Sequence, residues 1–130
     1  MQDRPTAAEL LATVATYLEE ELLPALDGPL AYRTRVAVNL VGMLEREAAL
    51  GLASLTRERD AVAALLGVAA PTDGTLEAQV AELNRWLVSA INDGRVTHAQ
   101  AWPVLMDCAH AKLAIIRPGY DAYDARGELP

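Results

Sequence analysis

The stretch over residues 35–50, RVAVNLVGMLEREAAL, most constrains the fold, because its apolar residues recur with the period of an α-helix. No stretch alternates apolar and polar residues for long enough to predict a strand. Phe is absent and aromatic residues make up only 5% of the 130 residues, so the core must be aliphatic and rich in alanine. Such side chains suit closely packed helices better than sheets, which favour β-branched and aromatic residues. The sequence therefore predicts an all-α protein.

Five helices are predicted from the apolar period and from residues that cap or break helices. Their bounds are about 7–23, about 30–52, a short helix capped by Thr56 and ending at Gly67, about 76–92, and a last helix from near Trp102 to 116. Gly51 is predicted to end the second helix, and Pro103 to separate a short turn over 97–101 from the last helix. Because the connections are short, we predict a compact bundle of four main helices plus one short helix, mostly antiparallel. Residues 1–130 are predicted to form one domain with a mobile tail from about residue 121.

Composition and charge exclude several classes of function. The formal net charge of −7 and the pI of about 4.7 argue against binding to nucleic acid, whose phosphates an acidic surface repels. The single cysteine, Cys108, fits a reducing compartment. The N-terminus lacks the pattern of a signal peptide, and the longest uncharged run, 61–72, is shorter than the roughly 20 residues that span a bilayer. We therefore predict a cytoplasmic protein without membrane insertion.

The second and the last predicted helices each have an apolar face, which we expect to pack in the core. The face of the second helix consists of Tyr32, Val36, Leu40, Met43, Leu44 and Leu50. The face of the last helix consists of Leu105, Ala109, Leu113 and Ile116. Both assignments follow from about 100° of rotation per residue.

Charged side chains interrupt both of these faces. Glu47 lies on the apolar face of the second helix, with Asn39 and Arg46 on its flank, and Lys112 lies on the apolar face of the last helix. Because an unpaired buried charge costs several kcal/mol, we predict that Glu47 pairs with Lys112. The resulting polar seam (Asn39, Arg46, Glu47 and Lys112) either fixes the register of the helices or lines a pocket for a small polar or anionic ligand. Lys112 could instead extend to water along its aliphatic stem.

Other residues that commonly carry chemistry do not form a recognisable site. Asp107 and His110 are three residues apart and could supply half of a metal site, but His98 is the only other histidine and Cys108 has no second cysteine beside it. There is no HExxH motif, no glycine-rich phosphate loop, no GxSxG motif and no dinucleotide-binding fingerprint. We predict no catalytic residue, no metal and no cofactor.

Several short motifs follow one another in the order found in a bacterial protein family. They are RPTAAELL at 4–11, RVAVN at 35–39, RE at 46–47, KLAI at 112–115 and PGY at 118–120. On these motifs the chain resembles small α-helical proteins classed as a domain of unknown function. These proteins are often encoded beside acyl-CoA dehydrogenases and aminoglycoside-phosphotransferase-like kinases. The arginine at 117 is a departure, because the family tends to have Asn before this proline. The resemblance implies no established activity.

Together these observations favour a non-enzymatic helical accessory or interaction protein, which the resemblance associates with acyl-CoA dehydrogenation. Its partner would be another protein or a second copy of the chain. The alternative is a small-ligand binder or an enzyme with a pocket around Glu47, Arg46 and Lys112. An exposed apolar patch would favour the first hypothesis, and a concave pocket with those side chains converging would favour the second.

Overall fold

A computed structural model describes residues 3–119 of the chain. The predicted all-α class is confirmed, since these residues form helices and no strand. The helices are α1 (Ala7–Tyr17), followed by a π-helical turn (Leu18–Leu22) and a 3-10 turn (Leu23–Ala25), then α2 (Gly28–Leu66), α3 (Leu76–Asn92) and α4 (His98–Ile116). The tail predicted from about residue 121 lies outside the described residues. No described helix combines the length and hydropathy needed to cross a membrane.

Threonine side chains cap the N-termini of three helices. The Thr6 hydroxyl accepts from the amide of Glu9 while the Glu9 carboxylate accepts from the amide of Thr6, which completes a capping box at α1. The Thr75 hydroxyl accepts from the amide of residue 78 at α3. At α4, Thr97 and Gln100 form the same reciprocal pair of bonds. The starts of α1 and α3 were predicted, because each cap needs only residues that are neighbours in sequence, whereas the pair at Thr97 was assigned to a short turn before the last helix.

Helix α2 is longer than predicted, because the second and third predicted helices are one continuous helix of 39 residues. Gly51 does not end it, since a glycine inside a helix costs only about 1 kcal/mol relative to alanine. Thr56 does not act as a cap either. Its hydroxyl donates to the carbonyl of Leu52 one turn earlier, as a threonine inside a helix does. The first residue with left-handed backbone after this helix is Gly67, where φ is 67°.

Helix α4 also begins earlier than predicted and contains Pro103. The capping box of Thr97 and Gln100, and the bond from the amide of Ala101 to the carbonyl of Thr97, fix the first turn before the proline is reached. Pro103 therefore removes one hydrogen bond near the start of an already anchored helix, and the predicted break at Trp102 does not occur.

The contacts divide the described chain into two units. Unit 1 comprises residues 3–51 together with Ile115–Arg117, and unit 2 comprises Leu52–Ala114 together with residues 118–119. Unit 2 contains a hydrophobic core whose buried members are Val62, Ala63, Leu83, Leu87, Ala90, Val96 and Ala101. Leu83 and Ala90, both on α3, are fully buried members of this core.

Within unit 2, α4 presents a different face to the core from the predicted one. Ala101 is buried and Val104 packs against the core cluster, whereas Leu105 and Ala109 are exposed. In unit 1, Ile116, which belongs to the same predicted face, is exposed as well. The prediction was wrong because α4 has aliphatic or alanine residues on most of its circumference. Its apolar period therefore does not identify a single face.

Unit 1 buries few of its large side chains. Among its described residues, the buried ones are Ala31, Gly51 and Ile115. The apolar face of α2 that was predicted to pack in the core is largely exposed in unit 1. Its exposed members are Tyr32, Val36, Leu40, Leu44 and Leu50, and Met43 is half-buried. The period of the face was predicted correctly, but its burial was not.

Candidate functional site

The exposed face of α2 contains a narrow row of side chains, which we name the α2 strip: Arg33, Val36, Leu40, Leu44 and Glu47. At about 100° per residue these five positions fall within about 80° of the helix circumference. All five are exposed, and Leu40 at the centre is 55% exposed. The strip is therefore an apolar helical surface with a positive charge near its N-terminal end and a negative charge near its C-terminal end.

Further exposed apolar side chains border the α2 strip. Tyr32 and Leu50 lie along one edge, separated by 18 residues and so at nearly the same angle. Leu30 lies toward the other edge. Six large apolar side chains, each about half exposed, present on the order of 500 Å² if a large side chain can expose roughly 150–200 Å². This area is typical of the largest apolar patch on a monomer, and such patches are often functional.

Helix α1 carries a second exposed apolar row. Leu10, Val14 and Tyr17 recur at intervals of four and three residues and are each about half exposed. The capping box at Thr6 fixes the start of this helix. Unit 1 therefore exposes large apolar side chains on both of its main helical segments.

Arg46, a predicted member of the polar seam, has a structural role in unit 1. Its Nε donates to the backbone oxygen of Ile115 over 2.6 Å. Ile115 lies in the last turn of α4, where carbonyls have no partner within the helix, and a guanidinium is well suited to such a position. Gly42 lies one turn before Arg46, and a Cβ there would be 3.2 Å from its Nη1. The absence of a side chain at residue 42 therefore leaves space for this arginine.

Glu58 of unit 2 is a buried carboxylate that was not among the residues predicted from the sequence. Only 6% of its side chain is exposed, and its Oε1 accepts from Asn84 Nδ2 over 3.0 Å and from Lys112 Nζ over 3.2 Å. These three residues come from α2, α3 and α4, so one carboxylate links three helices. The predicted carboxylate partner of Lys112 was Glu47, and in the structure this partner is Glu58.

Helical spacing could have identified Glu58, because it shares a face with Val62 and Leu65, four and seven residues later. The other predicted seam residues lie on α2: Asn39 and Glu47 are exposed. The Glu47 side chain folds back along the helix over Gly51, where a Cβ would clash with it. Lys112 itself is 57% exposed in its side chain, as expected if its stem leads to water.

Two cavities of unit 2 meet at Glu58 and Cys108. The larger, of about 660 Å³, is also lined by Arg57, Asp107 and His110. The smaller, of about 380 Å³, lies on the side of Lys112 and Asn84. Burial and, after it, the nearby Glu58 carboxylate raise the pKa of the Cys108 thiol, whereas Lys112 acts in the opposite direction. A thiol with a raised pKa stays protonated near neutral pH and is a poor nucleophile.

Metal ligation finds no support within residues 3–119, where no group of three or more His, Cys, Asp or Glu side chains could hold an ion. Asp107 and His110 both line the larger cavity, but they gain no third ligand of this kind.

Comparison with known proteins relates most of the chain to one family. No curated protein and no solved structure matches it. The family described as a domain of unknown function (DUF6285) matches residues 24–120, which include α2, α3 and α4. Helix α1 precedes the matched region. Because the match covers well over half of the sequence, the chain belongs to the DUF6285 family.

Proposed function

We propose that the protein is a non-enzymatic interaction module that binds a protein partner through the α2 strip. One observation carries this proposal: a helical face with the apolar period of a core face is exposed in unit 1. Exposed leucines at regular helical spacing cost solubility, so an exposed apolar row that runs from Val36 to Leu44 is best explained by a partner that covers it.

The charged residues of the strip suit this role better than a catalytic one. Glu47 and Arg33 stand at opposite ends of the apolar row, where they can set the orientation of a partner. Asn39 is exposed beside the row and can add a polar contact at its rim. Arg46 already bonds to Ile115, so it supports the helix that carries the strip.

The resemblance to proteins encoded beside acyl-CoA dehydrogenases suggests the class of partner. In this proposal the chain acts as one cytoplasmic domain, an antiparallel helical bundle, that accompanies an acyl-CoA dehydrogenase or the kinase-like protein of the same neighbourhood. The chain supplies no reacting group in this role.

The test is purification at native expression from the host of the wild type and of two matched variants. Leu40→Glu places a charge in the centre of the strip. Leu52→Glu places the same charge on a different face of α2, at a residue that is 76% exposed. We expect the dehydrogenase or the kinase-like protein to be recovered with the wild type and with Leu52→Glu and to be lost with Leu40→Glu. Recovery of neither protein with the wild type, or equal recovery with both variants, would reject the proposal.

Binding of a small ligand is a second candidate, supported by the cavities of unit 2. Lys112 lines the smaller cavity together with Asn84 and Glu58, so one member of the predicted seam lies at a concave surface. In this alternative a polar or anionic molecule would contact the exposed part of Lys112. Isothermal titration of carboxylate and phosphate compounds against the wild type and Lys112→Met tests it. Affinity that is lost in the variant supports this role, and no heat with any compound rejects it.

A further inference from the structure

The positions of the side chains in the α2 strip are symmetric about its centre. Its spacing around Leu40 is symmetric, with Val36 and Leu44 four residues away and Arg33 and Glu47 seven residues away. A two-fold interface requires such self-complementarity, because each contact between residues i and j occurs twice. We infer that the occupant of the strip is the α2 strip of a second copy of this chain. The copy runs antiparallel about a two-fold axis close to Leu40. This inference rests on the proposed function, since it takes the strip to be a protein-binding surface, and it makes the dimer formed through the strip the form that accompanies the dehydrogenase or the kinase-like protein.

The charges of the strip determine the direction of the second helix. In the antiparallel arrangement Arg33 of each copy lies near Glu47 of the other, so two ion pairs flank the apolar centre. In a parallel arrangement Arg33 would face Arg33 and Glu47 would face Glu47, and both contacts would be repulsive. Within residues 3–119, neither Arg33 nor Glu47 forms an ion pair. Both charges are therefore available.

The apolar side chains follow the same symmetry. Val36 of one copy lies near Leu44 of the other, and the two Leu40 side chains meet at the axis. Tyr32 and Leu50 share one edge of the strip on either side of Leu40, so they also approach each other across the axis. An antiparallel copy thus covers the strip and one border with apolar groups.

The available area is sufficient for a specific but weak contact. If each copy buries on the order of 500 Å², the pair buries roughly 1,000 Å², which is about the lower limit for a specific interface. A contact of this size fits a dimer that dissociates at micromolar concentrations more readily than an obligate one.

Sedimentation equilibrium of the purified full chain between about 1 and 200 µM tests the inference. We expect the wild type to approach twice the chain mass of 13.9 kDa. Arg33→Glu and Glu47→Arg each turn two attractive contacts into repulsive ones and should weaken dimerisation about tenfold. The double variant Arg33→Glu/Glu47→Arg should return to within about threefold of the wild type, because the pairs are rebuilt in reverse. Restoration in the double variant is expected only for the antiparallel arrangement.

Leucine variants provide the apolar counterpart. Leu40→Glu brings two carboxylates together at the axis and should weaken the dimer more than a hundredfold, whereas the matched Leu52→Glu should not change it. Circular dichroism and thermal melting of each variant show whether it is folded. Under oxidation by air, Leu40→Cys in a Cys108→Ser background should form a disulfide between the two copies, while Leu52→Cys should not.

A wild type that stays at the mass of one chain up to 200 µM would overturn the inference. So would a double variant as weak as the single ones. The proposed function would survive either result if the dehydrogenase or the kinase-like protein were still recovered with the wild type and lost with Leu40→Glu. Conversely, a dimer with restored charge swap and no such recovery would support the inference and reject the heterologous partner.

Discussion

The two units of this chain both have helical faces of aliphatic side chains, but unit 2 buries its face and unit 1 exposes it. In unit 2, Val62 and Leu83 are buried and stabilise the fold. In unit 1, Leu40 and Leu44 lie on a face with the same period and remain exposed. The difference shows that an apolar helical face identifies a surface to be covered, but does not say whether the cover is the same chain or another molecule. The comparison predicts that mutations in unit 2 affect unfolding, whereas mutations in the strip affect association.

The largest effect is expected for a leucine of the core. Leu83→Ala removes a side chain with 0% exposure and should lower the free energy of unfolding by about 3–4 kcal/mol. Leu40→Ala should change the free energy of unfolding of the single chain by less than about 0.5 kcal/mol, because Leu40 is already 55% exposed. Urea unfolding at submicromolar concentration measures both. Equal losses would show that Leu40 is covered within the chain and would remove the contrast between the units.

The next largest effect concerns the buried carboxylate of unit 2. Glu58→Ala leaves Asn84 and Lys112 without their acceptor and opens a void, and should cost about 2–3 kcal/mol of unfolding free energy. Lys112→Met should cost less than about 1 kcal/mol, because the lysine side chain is 57% exposed and its ion pair is screened by solvent. Thermal unfolding distinguishes the two variants. A larger loss for Lys112→Met than for Glu58→Ala would contradict the assignment of Glu58 as the central acceptor.

Unit 1 should respond more weakly to loss of its own polar contact. Arg46→Met removes the bond to the carbonyl of Ile115 and should cost about 1 kcal/mol. Hydrogen exchange should show faster opening of the last turn of α4, while amides near Leu83 keep their protection. Arg35→Met is the matched control, because it removes an exposed arginine from the same helix. If Arg35→Met loosened α4 equally, the role given to Arg46 would be wrong.

The smallest effect is a pH dependence that belongs to unit 2. Because the pKa of Cys108 is raised in the folded chain, the unfolded chain loses its thiol proton first as pH increases. The contribution of the Cys108 thiol to stability is therefore complete below the ordinary thiol pKa of 9.0. It is lost as pH rises from there through the pKa of this thiol in the folded chain. Unfolding measured from pH 7 to pH 10 should show a steeper alkaline loss in the wild type than in Cys108→Ser. Identical slopes would contradict the raised pKa.

Local features were predictable from the sequence to a large extent. Thr6 and Thr75 were predicted as helix starts because a cap depends on residues three positions away, whereas Thr97 was assigned to a separate turn because Pro103 was expected to break the helix. The all-α class followed from the same kind of pattern. The break predicted at Gly51 failed because a weak local preference competes with the hydrogen bonds and packing of a long helix, and these prevail.

Contacts between helices were much less predictable. Angular spacing predicted that Lys112 pairs with a carboxylate, but the predicted carboxylate was Glu47 and the observed one is Glu58. The spacing of residues on one helix does not show which turn of another helix lies opposite. For the same reason, spacing predicted the apolar face of α2 and not its exposure. Whether the polar seam binds a ligand stays a prediction.

The continuity of α2 has a consequence for how the strip becomes available. Starting a helix is unfavourable, whereas extending one adds a hydrogen bond for each residue fixed. The C-terminal part of α2, with Val62 in the core, supplies an anchored helical turn from which the part that carries the strip can extend. A second copy then encounters a helix that is already formed, so association does not have to supply the entropy of coil-to-helix conversion. The α2 strip therefore stays helical in the single chain, before a second copy binds.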